Sequence, residues 1–387
     1  MKQIYLDNAA TTQVDTKIVN AMLPYLTHYY GNASQPHSWG IKANKAIDQS
    51  REVIAKFLGA DKDEIIFTSC STESINLAHK GLIEAINDNN EDKVHIITTP
   101  IEHKAVLEAC KHTNAKVTYL PIAENGIINV EDVRNAIQQN TVLVSIMYVN
   151  NEIGTIQPIA EIGEMIRKFN KKNKRNIYFH VDATQAIQYL NCNVNRLGVD
   201  LLSFTGHKIH APKGVGVLYI RKDTPIIRQQ DGGGQEFGLR AGTENVPYIV
   251  GLGKAIELIN KKSVSDDVKI NKLTIRIMEY VINNIPRAII TGDIQRRVPH
   301  IASFIFKNIR GEDIVLALSK KGIAAASGSA CNANSVDISH VLKAIGLPRD
   351  WAMGQLRLSL SKYTTLKDIL YVEKELKMII NRLRGKK

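Results

Sequence analysis

Short apolar runs alternate with helical patterns of apolar residues between about residue 60 and residue 220. The runs that predict strands cover residues 64–68, 95–99, 116–120, 142–149, 177–181, 201–204 and 215–220. Helices are predicted from the turn after residue 68 through Ile86, and over residues 102–112, 130–138 and 159–169. Strands that alternate with helices in this way predict an α/β fold with a mostly parallel sheet that is covered on both faces.

The pattern of apolar positions changes after residue 245. A long helical pattern covers residues 246–285 with a break near residues 261–265, and a strand follows at residues 301–306. A helix at residues 312–320, a strand at residues 356–360 and a last helix at residues 364–383 complete the chain. These elements predict a second, smaller α+β domain, and a chain of 387 residues is long enough for two domains.

The composition predicts a soluble globular protein, with 44% hydrophobic and 23% charged residues. No apolar run approaches the roughly 20 residues that span a bilayer, and the N-terminus lacks the apolar segment of a signal peptide. We therefore expect a cytoplasmic protein that does not associate with membranes. The net charge of +12 favours acidic partners, but the basic residues are dispersed, so direct nucleic-acid binding is not expected.

The four cysteines form neither a CxxC pair nor an expected disulfide framework, so each thiol is considered singly. Cys331 lies within SGSACNANS (327–335), where small polar neighbours predict an exposed, mobile thiol. His207 and His210 have no carboxylate or cysteine nearby in the sequence. We therefore expect no metal site.

Two charged residues stand where predicted strands end, which is the usual ligand-binding edge of an open α/β sheet. Asp182 shares a strand face with Tyr178 and His180 and could pair with a protonated pyridine nitrogen, or cap the following segment. Lys208 follows the strand at residues 201–204 and could form a Schiff base, or lie on the surface.

Two further segments have both a functional and a structural interpretation. The run TSCSTE (68–73) joins a strand to a helix, where hydroxyls and free N–H groups could bind phosphate or simply cap the helix. Arg357 stands alone in an apolar strand-like run. Its guanidinium could hold a carboxylate through two hydrogen bonds, or face solvent on an amphipathic strand.

Taken together, these segments resemble the NifS/IscS-type cysteine desulfurases of the class V aminotransferase family, over essentially the whole chain. Each segment alone is weakly diagnostic, but their joint order and spacing is very specific. The matching segments are YLDNAATT (5–12), Gly31-Asn32 with His37, TSCSTE (68–73), EHK (102–104), NNEIG (150–154), HVDATQ (180–185), GHK (206–208), GGGQE (232–236), RAGT (240–243), SGSAC (327–331) and RLSL (357–360).

The resemblance implies fold type I of the enzymes that depend on pyridoxal 5'-phosphate (PLP). A large PLP-binding domain would cover residues 14–257, and a small domain with the cysteine-bearing segment would cover residues 1–13 and 258–387. The implied reaction converts L-cysteine to L-alanine, with the sulfur held as a persulfide on Cys331. A homodimer and sulfur-acceptor proteins for iron–sulfur cluster assembly or tRNA thiolation are the implied partners.

The resemblance also implies roles for single residues. Lys208 would bind PLP covalently, His103 would stack on its ring and transfer protons, and Cys331 would be the nucleophile. The remaining ring and phosphate contacts would come from Asp182, Gln185, Asn151, Ser71, Thr72, Thr205 and His207, with Thr243 supplied by the other subunit. Asn151 and Arg357 would bind the carboxylate of the substrate.

Three departures from the family pattern leave particular contacts open. Cys70 stands where relatives usually have glycine, and Asp231 stands where a histidine is common. The chain also ends soon after its last helix, whereas relatives that dock an iron–sulfur scaffold often have a longer tail. Alternatives to the implied function are an aminotransferase, a selenocysteine lyase and a sulfur-relay binding protein. The Cys331 segment argues against the first, since transamination needs no thiol.

Overall fold

The structure is a computed structural model that describes residues 3–87, 93–261, 264–328 and 338–385. Twelve strands lie within these ranges. They are β1 Ile4–Tyr5, β2 Ile65–Thr68, β3 His95–Thr98, β4 Lys116–Tyr119, β5 Thr141–Met147, β6 Tyr178–Asp182, β7 Leu201–Thr205, β8 Gly216–Ile220, β9 Ala288–Ile290, β10 Ile301–Phe306, β11 Ile323–Ala324 and β12 Gln355–Ser359.

The α-helices of the described residues are likewise numbered in chain order. They are α1 Thr16–Thr27, α2 Ser38–Leu58, α3 Ser71–Asn76, α4 Leu82–Asn87, α5 Lys104–Lys111, α6 Val130–Asn135, α7 Ile159–Asn173, α8 Val194–Leu197, α9 Val246–Asn260, α10 Val264–Asn284, α11 Gly311–Ser319, α12 His340–Ala344, α13 Arg349–Ala352 and α14 Leu366–Arg384. A π-helical turn at Leu77–Gly81 connects α3 directly to α4.

Seven strands form the large sheet in the order β2-β8-β7-β6-β5-β3-β4. The pairs from β7 through β4 are parallel, whereas β8 runs antiparallel to both of its neighbours. The predicted, mostly parallel sheet is therefore confirmed. Since parallel strands end at the same edge, Met147, Asp182 and Thr205 lie near one another at the carboxyl edge of the sheet.

Both faces of this sheet are buried, which explains why apolar residues occur on both faces of its central strands. Side chains alternate along each strand, so that Ile65 and Phe67 pack into one apolar core while Ile66 packs into another. Helices α1, α2, α7 and α9 cover the first face, and α3, α4 and α5 cover the second. Helices α1 and α2 pack against α9.

A second apolar core lies in the C-terminal part of the chain, around the antiparallel sheet β12-β10-β9. Helices α10, α11 and α14 contribute to this core, as do Ile4 and Leu6 from the N-terminus. Strand β1 pairs in parallel with β11, and Asp7 continues along Ser359 at the end of β12. The N-terminal segment therefore crosses from the second core to the edge of the large sheet. The predicted domain boundaries stay a prediction.

Helices α1 and α2 lie outside the predicted elements. In α1, Pro24 stands inside the helix, and the exposed Leu23 and Leu26 obscure its amphipathic pattern. Helix α2 ends at Gly59, which has a φ of 69° that favours glycine. None of the described helices is long and apolar enough to cross a membrane.

Candidate active site

A cavity of about 370 Å³ opens at the carboxyl edge of the large sheet, next to β12 and the N-terminal segment. Nine of the twelve predicted site residues line it. They are Ser71, Thr72, His103, Asn151, Asp182, Gln185, His207, Lys208 and Arg357. The structure therefore brings together residues that are up to 286 positions apart (Ser71 to Arg357) at the edge where the sequence predicts a ligand site.

Lys208 lies on a 3₁₀ turn, Gly206–Lys208, that follows β7 directly. Its ammonium group donates hydrogen bonds to the backbone oxygens of Ala9, at 2.9 Å, and Ala10, at 2.5 Å. Burial lowers the pKa of Lys208 to about 8, and the positive charge of Arg357 acts in the same direction. A substantial fraction of this amine is therefore neutral, and so nucleophilic, near neutral pH.

Asp182 ends β6 and is buried at the cavity wall, where one carboxylate oxygen accepts a hydrogen bond from the N–H of Thr184. Directly behind it lies Glu102, which is fully buried and accepts hydrogen bonds from Thr99 and from the N–H of Met147. Burial raises the pKa of Glu102 to about 8, and the negative charge of Asp182 adds to this effect. Glu102 is thus largely protonated near neutral pH.

His103 is the N-cap residue of α5, and its Nδ1 accepts a hydrogen bond of 3.1 Å from the N–H of Ala105. In the neutral ring the proton therefore lies on Nε2. His103 lines the cavity. The rest of its ring is buried in protein, and this loss of contact with water lowers the pKa of His103. Lys208 and His340 lower this pKa further, while Asp182 and Glu152 oppose them.

The loop before α3 is held by hydrogen bonds to Glu73, and the hydroxyl side chains that follow it line the cavity. Glu73 accepts a hydrogen bond from the N–H of Ser69 at 2.6 Å and an ion-paired one from Arg240 at 2.8 Å. Glu73 thus holds the loop that leads into α3, whereas the N-cap residue Cys70 makes no capping hydrogen bond with its side chain. The side chains of Ser71 and Thr72 line the cavity. Cys70, which stands where relatives usually have glycine, is half-buried and also lines the cavity.

His207 and Thr205 differ in their surroundings, although both were predicted to contact phosphate. His207 lines the cavity, with its Nδ1 3.2 Å from Oγ1 of Thr11, and burial lowers its pKa to about 4. Thr205 does not line the cavity. Its hydroxyl is buried and donates to the backbone oxygen of Val215 at 3.0 Å, because the side chain points into the sheet.

Thr243 lies on an exposed loop and does not line the cavity of its own chain. Asp231, in the same glycine-rich region, forms an exposed ion pair with Arg228. The assignment of Thr243 to a neighbouring subunit therefore stays a prediction. Cys331 and the rest of residues 329–337 lie outside the described residues.

Arg357 is buried in the cavity wall and does not face solvent. Its two terminal nitrogens donate hydrogen bonds of 2.8 Å, one to the backbone oxygen of Asn151 and one to the carboxylate of Asp7. The backbone of Arg357 pairs with Ala326, which also lines the cavity. A guanidinium held in this way is suited to bind a carboxylate that enters the cavity.

Glu152 lies near the residues that flank the segment 329–337 on both sides. Its carboxylate accepts hydrogen bonds from the hydroxyl of Ser339 and from the amide of Gln355. Gly328 packs so closely against Gln355 that an added Cβ would lie 1.6 Å from its Oε1. Gln355 therefore contacts the residue before this segment, and Glu152 contacts Ser339, two positions after it.

Five acceptor groups of the site escaped prediction. Asp7, Glu102 and Glu152 each stand inside or beside a matching segment, and that position was the available signal. The backbone oxygens of Ala9 and Ala10 carry no side-chain signal at all, because any residue supplies them. No group of three or more His, Cys, Asp or Glu side chains that could hold a metal ion occurs within the described ranges.

The donors around the cavity fit the chemistry of PLP. Lys208 offers an amine of lowered pKa for the aldehyde, and Asp182 offers a carboxylate for the pyridine nitrogen. Ser71, Thr72 and the neutral His207 offer donors for the phosphate. The cavity also retains Arg357 as a cation for the carboxylate of a second ligand.

Comparison with known proteins places this site in context. The family described as "Aminotransferase class-V" matches residues 4–372. The chain is 45% identical to a "Cysteine desulfurase" of Nostoc sp. over 388 aligned positions, which cover 100% of this chain and 94% of that protein.

Solved structures show the same relationship. A "NIFS-LIKE PROTEIN" superposes with a TM-score of 0.90 at 40% identity, covering 99% of this chain and all of the other. The structure "SspA in complex with cysteine" gives a TM-score of 0.80 at 37% identity, covering 94% of this chain and all of the other. These similarities confirm the predicted fold.

Proposed function

Since this chain belongs to the class V aminotransferase family and is a PLP-dependent cysteine desulfurase, we propose that it holds the sulfur of L-cysteine as a persulfide on Cys331. The observation that carries the proposal is that Lys208 and Arg357 line one cavity. An α-amino acid presents an amine and a carboxylate on the same carbon. A site with an amine-exchanging lysine and a carboxylate-binding arginine is therefore complementary to it.

One group of residues is assigned to PLP binding and another to orientation of the substrate. Lys208, Asp182, Gln185, Asn151, Ser71, Thr72 and His207 hold PLP, together with Thr205 through the position of its strand and Thr243 from a second subunit. When bound, PLP supplies an electron sink for the α-carbon of the substrate. Arg357 and Asn151 bind the substrate carboxylate, which orients the amine and the sulfur in the cavity.

Proton transfer falls to Lys208 and His103. The lowered pKa of each keeps a neutral form available near neutral pH. The hydrogen bond from Ala105 to Nδ1 fixes the orientation of the His103 ring and leaves Nε2 to exchange a proton. Glu102, being largely protonated, adds little negative charge behind Asp182, so that Asp182 remains the carboxylate available to a pyridinium.

The sulfur step is assigned to Cys331. Its thiolate attacks the sulfur of bound cysteine, an S–S bond forms, and the Cβ–S bond of the substrate breaks. The carbon fragment takes up a proton and leaves as alanine, so that cysteine and a thiol become alanine and a persulfide. Support comes from Gly328, which lines the cavity. Cys331 stands three positions further along the chain, and three residue steps span at most about 11 Å.

An assay of the isolated protein tests this function. PLP-loaded protein incubated with L-cysteine and a reducing thiol, without any partner, should release alanine and sulfide in equal amounts. An aminotransferase would instead form a keto acid from cysteine only when an amino acceptor is added. A relay protein would form no alanine on its own. A selenocysteine lyase would act on selenocysteine and leave cysteine unchanged.

The sulfur acceptor is proposed as a class of proteins. Iron–sulfur scaffold proteins and tRNA-thiolation enzymes both accept a persulfide sulfur, and a cytoplasmic location would suit either. Capture of partners on PLP-loaded protein, read by mass spectrometry, distinguishes the two. Recovery of neither would contradict the transfer part of the proposal.

We further propose a homodimer, supported by a patch of exposed apolar side chains at the end of α1 and the start of α2. This apolar patch consists of Leu23, Leu26, Tyr30, Trp39 and Ile41. Tyr30 and Trp39 contact each other edge-on with ring centroids 4.9 Å apart, which joins the segment after α1 to the start of α2. Contiguous apolar surface of this kind marks interaction sites.

Ile41→Asp should convert the dimer to a monomer and lower desulfurase activity, because a charge would be buried at the interface. Light scattering and alanine release at the same protein concentration measure the two effects. Ile294→Asp is the matched control, since Ile294 is exposed and outside the patch. A wild-type protein that is monomeric and fully active, or an Ile41→Asp variant that remains dimeric, would contradict this surface.

A further inference from the structure

The carboxylate of Asp7 occupies part of the site at which Arg357 is proposed to bind substrate. The distance from Nη2 of Arg357 to Oδ1 of Asp7 is 2.8 Å, and both side chains are mostly shielded, with 10% and 23% of their surfaces exposed. Asp7 belongs to the YLDNAATT segment (5–12), for which the resemblance implies no role. The proposed function therefore does not account for this contact between Asp7 and Arg357.

The backbone holds Asp7 in this place. Asp7 forms a parallel bridge with Ser359, which lies two residues beyond Arg357 on β12. The N–H of Ser359 donates to the oxygen of Leu6 at 2.7 Å, and the N–H of Asn8 donates to the oxygen of Ser359. The carboxylate is consequently presented to Arg357 by regular strand pairing, independently of the conformation of an exposed loop.

The remaining donors of Arg357 decide how a second carboxylate can bind. Its Nε is buried and has no hydrogen-bond partner within the described ranges, so an incoming ligand cannot reach it. Only the two terminal nitrogens are left. One of them donates to the oxygen of Asn151 and the other to Asp7. Each terminal nitrogen carries a second N–H. A substrate carboxylate that binds these remaining donors lies next to the Asp7 carboxylate and is repelled by it unless Asp7 moves away.

Resting on the proposed function, we propose that Asp7 is a specificity-determining residue that competes with carboxylate ligands for Arg357. Asp7 compensates the guanidinium charge in the resting enzyme and repels a carboxylate that binds through Arg357 alone. An α-amino acid overcomes this competition because its amine is bound at the same time at the Lys208 side of the cavity. Asp7 thereby selects amino acids over simple carboxylic acids.

The experiment measures competition by propionate, which has a carboxylate but no amine, against L-cysteine turnover of the PLP-loaded dimer. Asp7→Asn removes the charge and keeps the size, and it should lower the inhibition constant of propionate about tenfold, as expected for losing one charge-assisted hydrogen bond. The KM for cysteine should fall with it. Inhibition by cysteamine, which lacks a carboxylate, should not change.

Two variants keep the test decisive if Asp7→Asn folds poorly or weakens the site nonspecifically. Asp7→Ser also removes the charge and should tighten propionate binding, whereas Asp7→Glu keeps the charge and should not tighten it. The matched control is Asp15→Asn. Asp15 lies close to Asp7 in the sequence, and the substitution breaks its ion pair with Lys362. It should leave the propionate constant unchanged.

A variant of the arginine separates the two proposals. Arg357→Lys keeps the charge but loses the planar fork, and it should raise the KM for cysteine and weaken propionate binding. If Arg357→Lys has no effect on either constant, the assignment of Arg357 under the proposed function fails. If Arg357→Lys raises the KM for cysteine and weakens propionate binding, the assignment of Arg357 stands. If Asp7→Asn and Asp7→Ser then fail to tighten propionate binding, only the proposed role of Asp7 is overturned.

Discussion

Replacing Lys208 with alanine should abolish the covalent attachment of PLP and reduce alanine formation from L-cysteine by roughly a thousandfold or more. The variant loses both the amine that bonds to the cofactor and the base beside the α-carbon. The visible absorption band of the lysine-bound cofactor should disappear, and borohydride treatment should fix no cofactor to the protein. Absorption spectra and the alanine assay measure these effects.

Lys213→Ala is the matched control for this prediction. Lys213 is exposed on the same loop and close enough to lower the pKa of His207, yet it does not line the cavity. It should bind PLP and turn over cysteine as the wild type does. A Lys208→Ala variant that still carries a borohydride-fixed cofactor would assign the covalent bond to another lysine.

Replacing Cys331 with serine should leave PLP binding intact and lower alanine and persulfide formation by roughly a thousandfold or more, because a hydroxyl cannot accept the sulfur. Mass spectrometry of wild-type protein after brief treatment with cysteine should show one added sulfur on the peptide that contains Cys331. The same treatment of Cys331→Ser should show none. The absorption spectrum of the bound cofactor serves as the measure of an intact site.

Cys70→Ser is the control, since Cys70 is a thiol that lines the cavity. It should form the Cys331 persulfide at a normal rate. Added sulfur on Cys70 in the wild-type protein, or normal turnover by Cys331→Ser, would overturn the assignment of the nucleophile. Cys110 and Cys192 are buried in apolar cores, which raises the pKa of each to about 12 and keeps them unreactive.

The sequence was sufficient to predict the carboxyl edge of the large sheet and the charged residues on it. Asp182 ends the buried strand β6 and Lys208 closely follows the buried strand β7, and parallel strands bring their ends together whatever the details of packing. The same reasoning placed Ser71 and Thr72 at the edge, since they begin the helix after β2. Local pattern and one topological rule were enough for these residues.

Other parts of the site depend on contacts that no local pattern contains. Thr205 was assigned to the phosphate from its position in the sequence, but the alternation of side chains along β7 turns its hydroxyl toward Val215. Glu102 could not be identified as a buried acid because its burial results from packing against β5. The contact of Asp7 with Arg357 requires β12 to lie beside the N-terminal segment, which is long-range information.

The pairing of residue 7 with residue 357 spans 350 positions of the chain, and it has a consequence for the order of synthesis. When the large sheet has left the ribosome, Lys208 and Asp182 are already present, but β12 is still to be translated. The N-terminal segment then lacks Ser359, the residue along which it pairs and which orients the oxygens of Ala9 and Ala10 toward Lys208. Nascent and prematurely terminated chains therefore lack the Arg357 half of the substrate site and the strand pairing that holds Asp7 beside it. Sulfur can be taken from cysteine only by chains whose translation is nearly complete.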